Sequence, residues 1–376
     1  MVKRIYLSPP TYYFNDSFKL SKGELSYSDI YEDVNSFEKS VKEYLETDKL
    51  CLALNSGTSA IHIALILAGV TSGDYVLCQS HTFIACANAI RYQGAIPVFI
   101  DSEKVTWNID KQYLENAVKD LNSKNISPKV LIATSLYGMP FEFDDVYAFA
   151  KDNDIKVIED SAEALGSSYK NRKCGTLADY GILSFNYNKI ITSGGGGILV
   201  CKNEEDYFRG LKIATQAKDV SEHYHHSEIG YNYRMGHLNA KIGVAQMDVL
   251  EQHIKSRRQL NIWYRDLFKN IEGVELHSEK SNSYISNHWL SVILVDPLKS
   301  GGITKENLRI ALEKNNIESR PLWKPMHLQP LYNYYPYYGE DVSENLFLKG
   351  LCLPSGSLLK YEDKKRIENV IFNVFN

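Results

Sequence analysis

Short apolar runs alternate with helical patterns between about residue 50 and residue 216, and this alternation constrains the fold more than any other feature of the chain. Strands that alternate with helices of ten or more residues predict a mainly parallel sheet covered by helices on both faces. In such sheets ligands gather at the carboxyl ends of the strands. Seven runs have the character of strands: KLCLAL (49–54), YVLC (75–78), AIPVFID (95–101), VLIATSLYG (130–138), IKVIED (155–160), YGILSF (180–185) and GGILVC (196–201).

The C-terminal third of the chain has a different pattern. A nearly Gly- and Pro-free segment at 238–270 has helical periodicity and predicts a long helix leading out of the large lobe. HWLSVILV at 288–295 then predicts a strand, 303–316 predicts a helix, and a closing helix is expected after Tyr361.

Length and pattern together predict two domains. At 376 residues the chain is too long for one minimal domain, so we expect a large lobe and a smaller one. We predict an α/β protein with a large domain over residues 1–250, built on a mainly parallel seven-stranded sheet, and a smaller α+β domain over residues 251–376.

Charge and cysteine content exclude several classes of protein. A net charge of −4 gives no reason to expect nucleic acid, which calls for basic patches. No stretch reaches the roughly 18 apolar residues that span a bilayer, and the N-terminal residues lack the apolar core of a signal peptide. No Cys-x-x-Cys pair is present, so we expect buried free thiols in a reducing cytoplasm and no zinc site. The cysteines are residues 51, 78, 86, 174, 201 and 352.

A run of small residues follows the first predicted strand. Asn55-Ser56-Gly57-Thr58-Ser59-Ala60 lies between KLCLAL and an apolar helix. Small residues allow a close backbone approach to an anion, and the helix start offers unpaired N–H groups and a positive dipole end. We interpret this run as a phosphate-binding site, although ordinary helix caps share the pattern. Neither a Walker loop nor a dinucleotide fingerprint is present.

Two further strand ends carry groups suited to one chemistry. Asp160 ends IKVIED, where a carboxylate could pair with a protonated pyridine nitrogen, as pyridoxal phosphate enzymes require. Lys189 follows YGILSF and precedes four glycines, and a buried amine can form Schiff bases. Ser184 is a candidate second phosphate ligand. Taken singly, Asp160 could be a helix cap and Lys189 a surface lysine.

An aromatic residue follows the second predicted strand. Phe83, in His81-Thr82-Phe83, could lie over the plane of a cofactor, or it could be a core residue of the helix FIACANAI. The residues alone leave both readings open.

The order of these features is more specific than any one of them. A phosphate turn, an aromatic residue, an aspartate and then a lysine occur in fold type I pyridoxal phosphate enzymes, which are aspartate aminotransferase-like. Within that superfamily the chain resembles the DegT/DnrJ/EryC1/StrS family of sugar aminotransferases over about residues 37–376. The motifs that carry the resemblance are NSGTSAIHIAL, HTFIACANAI, VIEDSAEALGSSY, SFNYNKIITSGGGG, IGYNYRM and SRPLWKPMHLQP.

The resemblance implies a set of roles around pyridoxal 5′-phosphate. Lys189 would hold the cofactor as a Schiff base and later move a proton on the substrate. Asp160 would pair with the pyridine nitrogen, and Phe83 would stack on the ring. Glu163 stands where family members often carry Gln or His near the 3-oxygen of the cofactor.

The resemblance also implies the phosphate ligands and the assembly. Gly57, Thr58 and Ser184 would bind the phosphate. Asn232, in GYNYRM, looks like the Asn that a second subunit contributes to the same phosphate, so a homodimer with shared sites is expected. Glutamate would donate the amine, which then passes to a ketone.

The segment SRPLWKPMHLQP (319–330) resembles the subgroup that aminates C4 of a 4-keto-6-deoxy sugar. Arg320 and Lys324 are cations suited to a diphosphate, and His327 is a further candidate substrate ligand. The opening KRIYLSPP and the later GLCLPSGS (350–357) resemble enzymes that act on UDP-4-keto-6-deoxy-N-acetylglucosamine.

Several alternatives stay open at this point. They are amination at C3, a GDP- or dTDP-linked sugar, and a keto-deoxy sugar dehydratase, although such dehydratases replace the lysine with His. A nicotinamide enzyme would need a glycine fingerprint that SPPTYYFND lacks. The histidines at 223, 225 and 226 are interpreted as part of an active-site loop, and LYNYYPYY (331–338) as a surface loop beside the cleft.

Overall fold

The computed structural model describes residues 2–11 and 27–375. Its strands are β1 Cys51–Leu54, β2 Tyr75–Gln79, β3 Ile96–Ile100, β4 Val130–Thr134, β5 Lys156–Asp160, β6 Ser168–Tyr169, β7 Arg172–Lys173, β8 Tyr180–Ser184, β9 Gly197–Val200, β10 Val274–Leu276, β11 Tyr284–Ile285, β12 Ser291–Val295, β13 Arg320–Pro321, β14 Tyr337–Tyr338 and β15 Gly350–Leu353. Its helices are α1 Tyr27–Leu45, α2 Gly57–Leu67, α3 Ala85–Tyr92, α4 Lys111–Ser123, α5 Phe143–Asp152, α6 Glu204–Ala214, α7 His237–Met247, α8 Leu250–Phe268, α9 Lys305–Lys314, α10 Val342–Lys349 and α11 Tyr361–Phe375, with 3₁₀ turns at Leu136–Gly138 and Met326–Leu328.

All seven predicted strands lie in one large sheet, in the order β1-β9-β8-β5-β4-β2-β3-β14. Neighbouring strands from β8 to β3 pair in parallel, whereas β9 runs antiparallel to both of its neighbours. Apolar side chains alternate between the two faces, so that Ile132 packs under α2 and α3 while Leu131 packs under α4 and α5. The mainly parallel, doubly covered sheet predicted from the sequence is confirmed.

The eighth strand of this sheet corrects the interpretation of LYNYYPYY as a surface loop. β14 pairs in parallel with the edge strand β3, with Tyr337 opposite Phe99. Tyr332 is buried in the sheet's own core, and its hydroxyl donates to Asn88 Oδ1 at 2.5 Å. These aromatic residues cover an edge that would otherwise leave backbone groups unpaired.

The segment predicted as one long helix is two helices. The backbone leaves helical geometry at Val249 (φ −111°, ψ 3°), between α7 and α8. On one side of this break Gly243 packs so tightly on Phe37 of α1 that a Cβ would lie 2.6 Å from its ring. On the other side Leu260 and Tyr264 pack into the core of the smaller lobe. The change of direction lets one segment serve both lobes.

The smaller lobe is built on the antiparallel sheet β10-β12-β15-β13, with α8, α9 and α11 packed against it. The N-terminal arm, defined as residues 2–11, also belongs to its packing. Ile5 forms a bridge with Ile317 and is buried in the same core. We propose a division between residues 250 and 251. The N-terminal arm precedes this division but packs on the smaller lobe, and β14 follows it but pairs with the large sheet.

Two further features bear on the class of protein. All six cysteines are buried and free, as predicted. In the described part of the chain, no helix is long and apolar enough to cross a membrane.

Candidate active site

The sheet's topology brings several distant segments to one edge. The carboxyl ends of β4, β5 and β8 lie side by side, with Thr134 paired to Asp160 in register. A cleft of about 190 Å³ lies at this edge. Seven of the eight residues that the resemblance assigned to the cofactor line it: Gly57, Thr58, Phe83, Asp160, Glu163, Ser184 and Lys189.

The first turn of α2 forms one end of the cleft. Ser56 adopts an extended conformation and its Oγ accepts from Ser59 N at 3.0 Å, which caps the helix. Gly57 lies so close to β8 that a Cβ would be 3.2 Å from Ser184 Cβ. Gly197 is constrained more tightly, because its Cβ would lie 2.5 Å from Gly57 N. The glycines therefore bring a helix start and the Ser184 hydroxyl together, as an anion site requires.

Asp160 is a buried carboxylate that faces the cleft. It is 4% exposed, its Oδ1 accepts from Ala162 N at 3.1 Å, and its Oδ2 accepts from the Cys86 thiol at 3.0 Å. Both donors are neutral, and the described residues place no cation within 4.0 Å of it in an ion pair. A buried charge without a cationic partner is costly unless something else pairs with it.

Lys189 and Glu163 form an ion pair in the wall of the same cleft. Lys189 Nζ lies 3.2 Å from Glu163 Oε1, and the two side chains are 12% and 3% exposed. The amine also lies 4.4 Å from the centre of the Trp289 ring. Burial raises the pKa of Glu163 to about 7, although the Lys189 charge and the Tyr137 N–H lower it. Glu163 can therefore gain or lose a proton near neutral pH.

Phe83 is not a core residue. It precedes α3, its side chain is 51% exposed, and it lines the cleft, which favours the first of its two readings. Its ring centre lies 5.4 Å from that of Trp323, which forms another part of the wall. His81, two residues earlier, is fully buried, and burial lowers its pKa to about 3, so its ring is neutral.

A second cleft of about 530 Å³ continues from the first. The two share Phe83, Asn186, Lys189 and Trp323 in their walls. Arg320, Lys324 and the exposed Tyr187 line only the outer cleft. Arg320 donates to Glu318 Oε1 at 2.8 Å, and Leu7 N donates to the other Glu318 oxygen at 3.2 Å.

Two predicted site residues lie outside both clefts. His327 has its Nδ1 2.7 Å from Ser80 Oγ and its Nε2 3.2 Å from Glu344 Oε1. It also stacks on Tyr337 at 3.7 Å, so its ring is committed to holding the 319–330 segment against the sheet. Asn232 is exposed and forms a bridge with Thr215, beside the Asn55 end of the first cleft.

Sequence reasoning missed two residues that build the site. Cys86 was expected only as a buried thiol, yet it donates to Asp160. Tyr137 donates from its N–H to Glu163 Oε2 at 2.8 Å, and its hydroxyl accepts from Trp323 N at 3.0 Å. Tyr137 has φ +54°, a left-handed conformation that is uncommon for a bulky residue and concentrates at functional sites. No sequence signal announces either contact.

The histidines at 223, 225 and 226 are exposed. Within residues 2–11 and 27–375, no group of three or more His, Cys, Asp or Glu is arranged to hold a metal ion.

The chain is similar to known aminotransferases over nearly its whole length. A model of the DegT/DnrJ/EryC1/StrS aminotransferase family matches residues 20–372. The chain is 39% identical to the putative pyridoxal phosphate-dependent aminotransferase EpsN of Bacillus subtilis, over all of this chain and 97% of that protein. It is 34% identical to the GDP-perosamine synthase of Escherichia coli O157:H7, over 87% of each. A DegT/DnrJ/EryC1/StrS aminotransferase from Brucella abortus superposes with a TM-score of 0.84 and 27% identity, over 92% of this chain and 90% of that one.

Proposed function

Because the chain belongs to the DegT/DnrJ/EryC1/StrS aminotransferase family and depends on pyridoxal 5′-phosphate, we propose that it transfers an amino group from glutamate to C4 of a nucleotide-linked 4-keto-6-deoxy sugar. The substrate that we propose is UDP-4-keto-6-deoxy-N-acetylglucosamine. The carrying observation is that the lysine-containing cleft opens into a larger one with two cations in its wall.

The residues of the inner cleft fit the cofactor. Gly57, Thr58 and Ser184 would hold its phosphate, where a helix start and a hydroxyl meet. Asp160 would face its pyridine nitrogen, which supplies the cation that this buried carboxylate otherwise lacks. Phe83 offers an exposed ring at the wall of the same space.

When bound, pyridoxal phosphate supplies an electron sink for the substrate carbon from which a proton is removed. The chain supplies the proton carrier, which we assign to Lys189 Nζ. That atom lies at the junction of the two clefts, within reach of a substrate that enters from the outer one. The nearby Glu163 carboxyl and Trp289 ring hold the amine in place.

The outer cleft would bind the nucleotide. Arg320 and Lys324 are cations placed away from the cofactor residues, as a diphosphate handle must be. Arg320 now pairs with Glu318, and its side chain is 67% exposed, so a phosphate can compete for it at little cost. His327 is left out of this proposal because both of its ring nitrogens are engaged elsewhere.

One relative favours a second candidate substrate. The E. coli protein that is 34% identical to this chain is a GDP-perosamine synthase, so a GDP-linked sugar is the first alternative to a UDP-linked one. Amination at C3 is the alternative at the level of the sugar. The dehydratase reading is disfavoured by Lys189, since those relatives carry His there.

We also propose that the active unit is a homodimer. Asn232 is exposed beside the phosphate end of the cleft but does not line it, as expected of a residue that serves the partner's site. The cytoplasmic location expected from the sequence stays a prediction.

A panel of UDP-, GDP- and dTDP-4-keto-6-deoxy sugars, each incubated with glutamate and the holoenzyme, tests the function. We expect the product mass of an amino sugar from the UDP-linked N-acetyl sugar, with the amine on C4 by NMR. An amine on C3, or turnover of only a GDP- or dTDP-sugar, would reject this substrate and leave the reaction class standing.

Replacing Arg320 tests the outer cleft. Arg320→Ala should raise KM for the sugar nucleotide by about 10-fold with little change in kcat, because a remote handle contributes to binding before chemistry. Arg309→Ala is the matched control, since Arg309 forms a similar pair with Glu306 on α9. Equal KM values for the two variants would remove Arg320 from the proposal.

A further inference from the structure

The Cys86 thiol makes a contact that the proposed mechanism does not use. Cys86 is the second residue of α3 and is fully buried. Its Sγ lies 3.0 Å from Asp160 Oδ2, across 74 residues of sequence. A thiol is both a weak donor and a weak acceptor, and a carboxylate only accepts, so the S–H must point at Asp160.

Two hydroxyls also lie close to the Cys86 thiol. The Thr82 and Thr134 hydroxyls bond to each other at 2.9 Å, and Thr82 Oγ1 lies 3.6 Å from Cys86 Sγ. A hydroxyl can donate to the sulfur while the sulfur donates to the carboxylate. Hydrogen bonds in such a chain polarise one another. The thiol can therefore donate to Asp160 while it accepts from Thr82.

The thiol also stays protonated. The pKa of Cys86 lies well above its ordinary value because of its hydrogen bond with Cys78, its burial and the nearby Asp160 charge. A thiolate at this place would repel the carboxylate, whereas the neutral thiol stabilises it. Asp160 thus receives one donor on each oxygen, from Ala162 N and from Cys86.

We propose that Cys86 is a positioning residue that holds the Asp160 carboxylate aimed into the cleft. The inference rests on the proposed role of Asp160 and extends it to a residue that itself lines neither cleft. Because the donor is neutral, no cation of the described residues competes with the pyridine nitrogen for Asp160. A cation in the place of Cys86 would neutralise the carboxylate instead.

Equilibrium dialysis of holoenzymes in the pyridoxamine phosphate form tests the proposal, because that form is not covalently attached to Lys189. Cys86→Ala should weaken retention by about 10-fold, the value of one hydrogen bond to a charged group. Cys86→Ser keeps a donor and should stay within about 3-fold of the wild type. Cys201→Ala removes a buried thiol from the sheet core outside both clefts and should bind as the wild type does.

Infrared spectroscopy provides a measurement that does not depend on activity or on cofactor retention. The S–H stretching band of Cys86 is identified by its loss in Cys86→Ser. In Asp160→Asn it should move to higher frequency, because an amide is a weaker acceptor than a carboxylate. A band that does not move, unchanged retention in Cys86→Ala, or equal loss in Cys86→Ser and Cys86→Ala would overturn the proposal. The identity of the sugar affects neither measurement.

Discussion

At the scale of single residues, the site depends on buried ionisable groups, and the partners that hold them differ. Asp160 is held by neutral donors, and Lys189 is held by Glu163. The first arrangement leaves the carboxylate without a cationic partner of its own, and the second places a carboxyl that titrates near neutrality beside an amine.

Lys189 should be the point of covalent attachment. Borohydride reduction of the holoenzyme should add the mass of the cofactor to the peptide that contains Lys189, since a reduced Schiff base cannot hydrolyse. Lys189→Ala should fold, take no label and lose amine transfer. Lys104→Ala removes an exposed lysine that lines neither described cleft and should label normally. Label on another lysine would show that the assignment is wrong.

Glu163 should make stability depend on pH. Its pKa is raised by burial to about 7 from an ordinary 4.5, so its contribution to stability is complete below about pH 4.5 and is lost as pH rises through about 7. The loss is on the order of 3 kcal/mol. Glu163→Gln lacks this titration.

Melting temperatures of dialysed, cofactor-depleted protein measure the effect. The Tm of Glu163→Gln relative to the wild type should rise between about pH 5 and pH 8. Glu115→Gln, on the outer face of α4, should show no such trend. A parallel response of wild type and Glu163→Gln would contradict the expectation.

At the scale of elements, much of the outer cleft is built by the 319–330 segment, whose only regular elements are the two-residue strand β13 and a 3₁₀ turn. The 319–330 segment is attached to the large sheet through His327, which bonds to Ser80, and through Trp323 N, which donates to Tyr137. Tyr137 also fixes Glu163, so this one residue joins the inner and outer clefts. Its backbone is strained in the conformation that places its N–H at Glu163 and its hydroxyl at Trp323.

Tyr137→Phe isolates the contact to this loop, because the backbone N–H to Glu163 remains. We expect KM for the sugar nucleotide to rise by about 5- to 10-fold, the value of one hydrogen bond. Cofactor retention should change by less than about 2-fold, because no cofactor residue loses a contact. Tyr338→Phe, which removes a hydroxyl bonded to Asp120 on the far edge, is the control. A loss of cofactor without a change in KM would contradict this division.

At the scale of the whole molecule, the two lobes are joined close to the lysine. Arg257 of α8 is fully buried and donates to Trp289 O and to Ser8 Oγ of the N-terminal arm. Ser8 Oγ and Trp289 Nε1 both donate to Asn188 O, at 2.8 and 2.7 Å. The peptide before Lys189 is thus fixed by groups from three distant parts of the chain.

Shared sites in a homodimer predict complementation between two inactive chains. A mixture of Lys189→Ala and Asn232→Asp should recover part of the activity, because the heterodimer contains one site with both wild-type residues. Light scattering and a tagged chain verify that dimers form and exchange. No recovery despite exchange, or a monomer, would contradict the shared site.

The sequence by itself determined what local pattern can encode. The apolar periodicity located seven of the eight strands of the large sheet, and the position of Lys189, Asp160 and Gly57 after strands placed them at one edge. Those predictions succeed because strand formation depends on neighbouring residues, and because the carboxyl ends of parallel strands share one edge. The order of the motifs then identified the family.

Only the tertiary structure decided which residues from distant segments contact the residues of the site. Cys86 meets Asp160, Tyr137 meets Trp323, and His327 turns away from the cleft toward Ser80 and Glu344. Each contact joins segments that are distant in sequence, and its geometry depends on how helices and loops pack on the sheet. A residue type and its position in a motif do not specify which way its side chain points, because packing against distant segments selects that orientation.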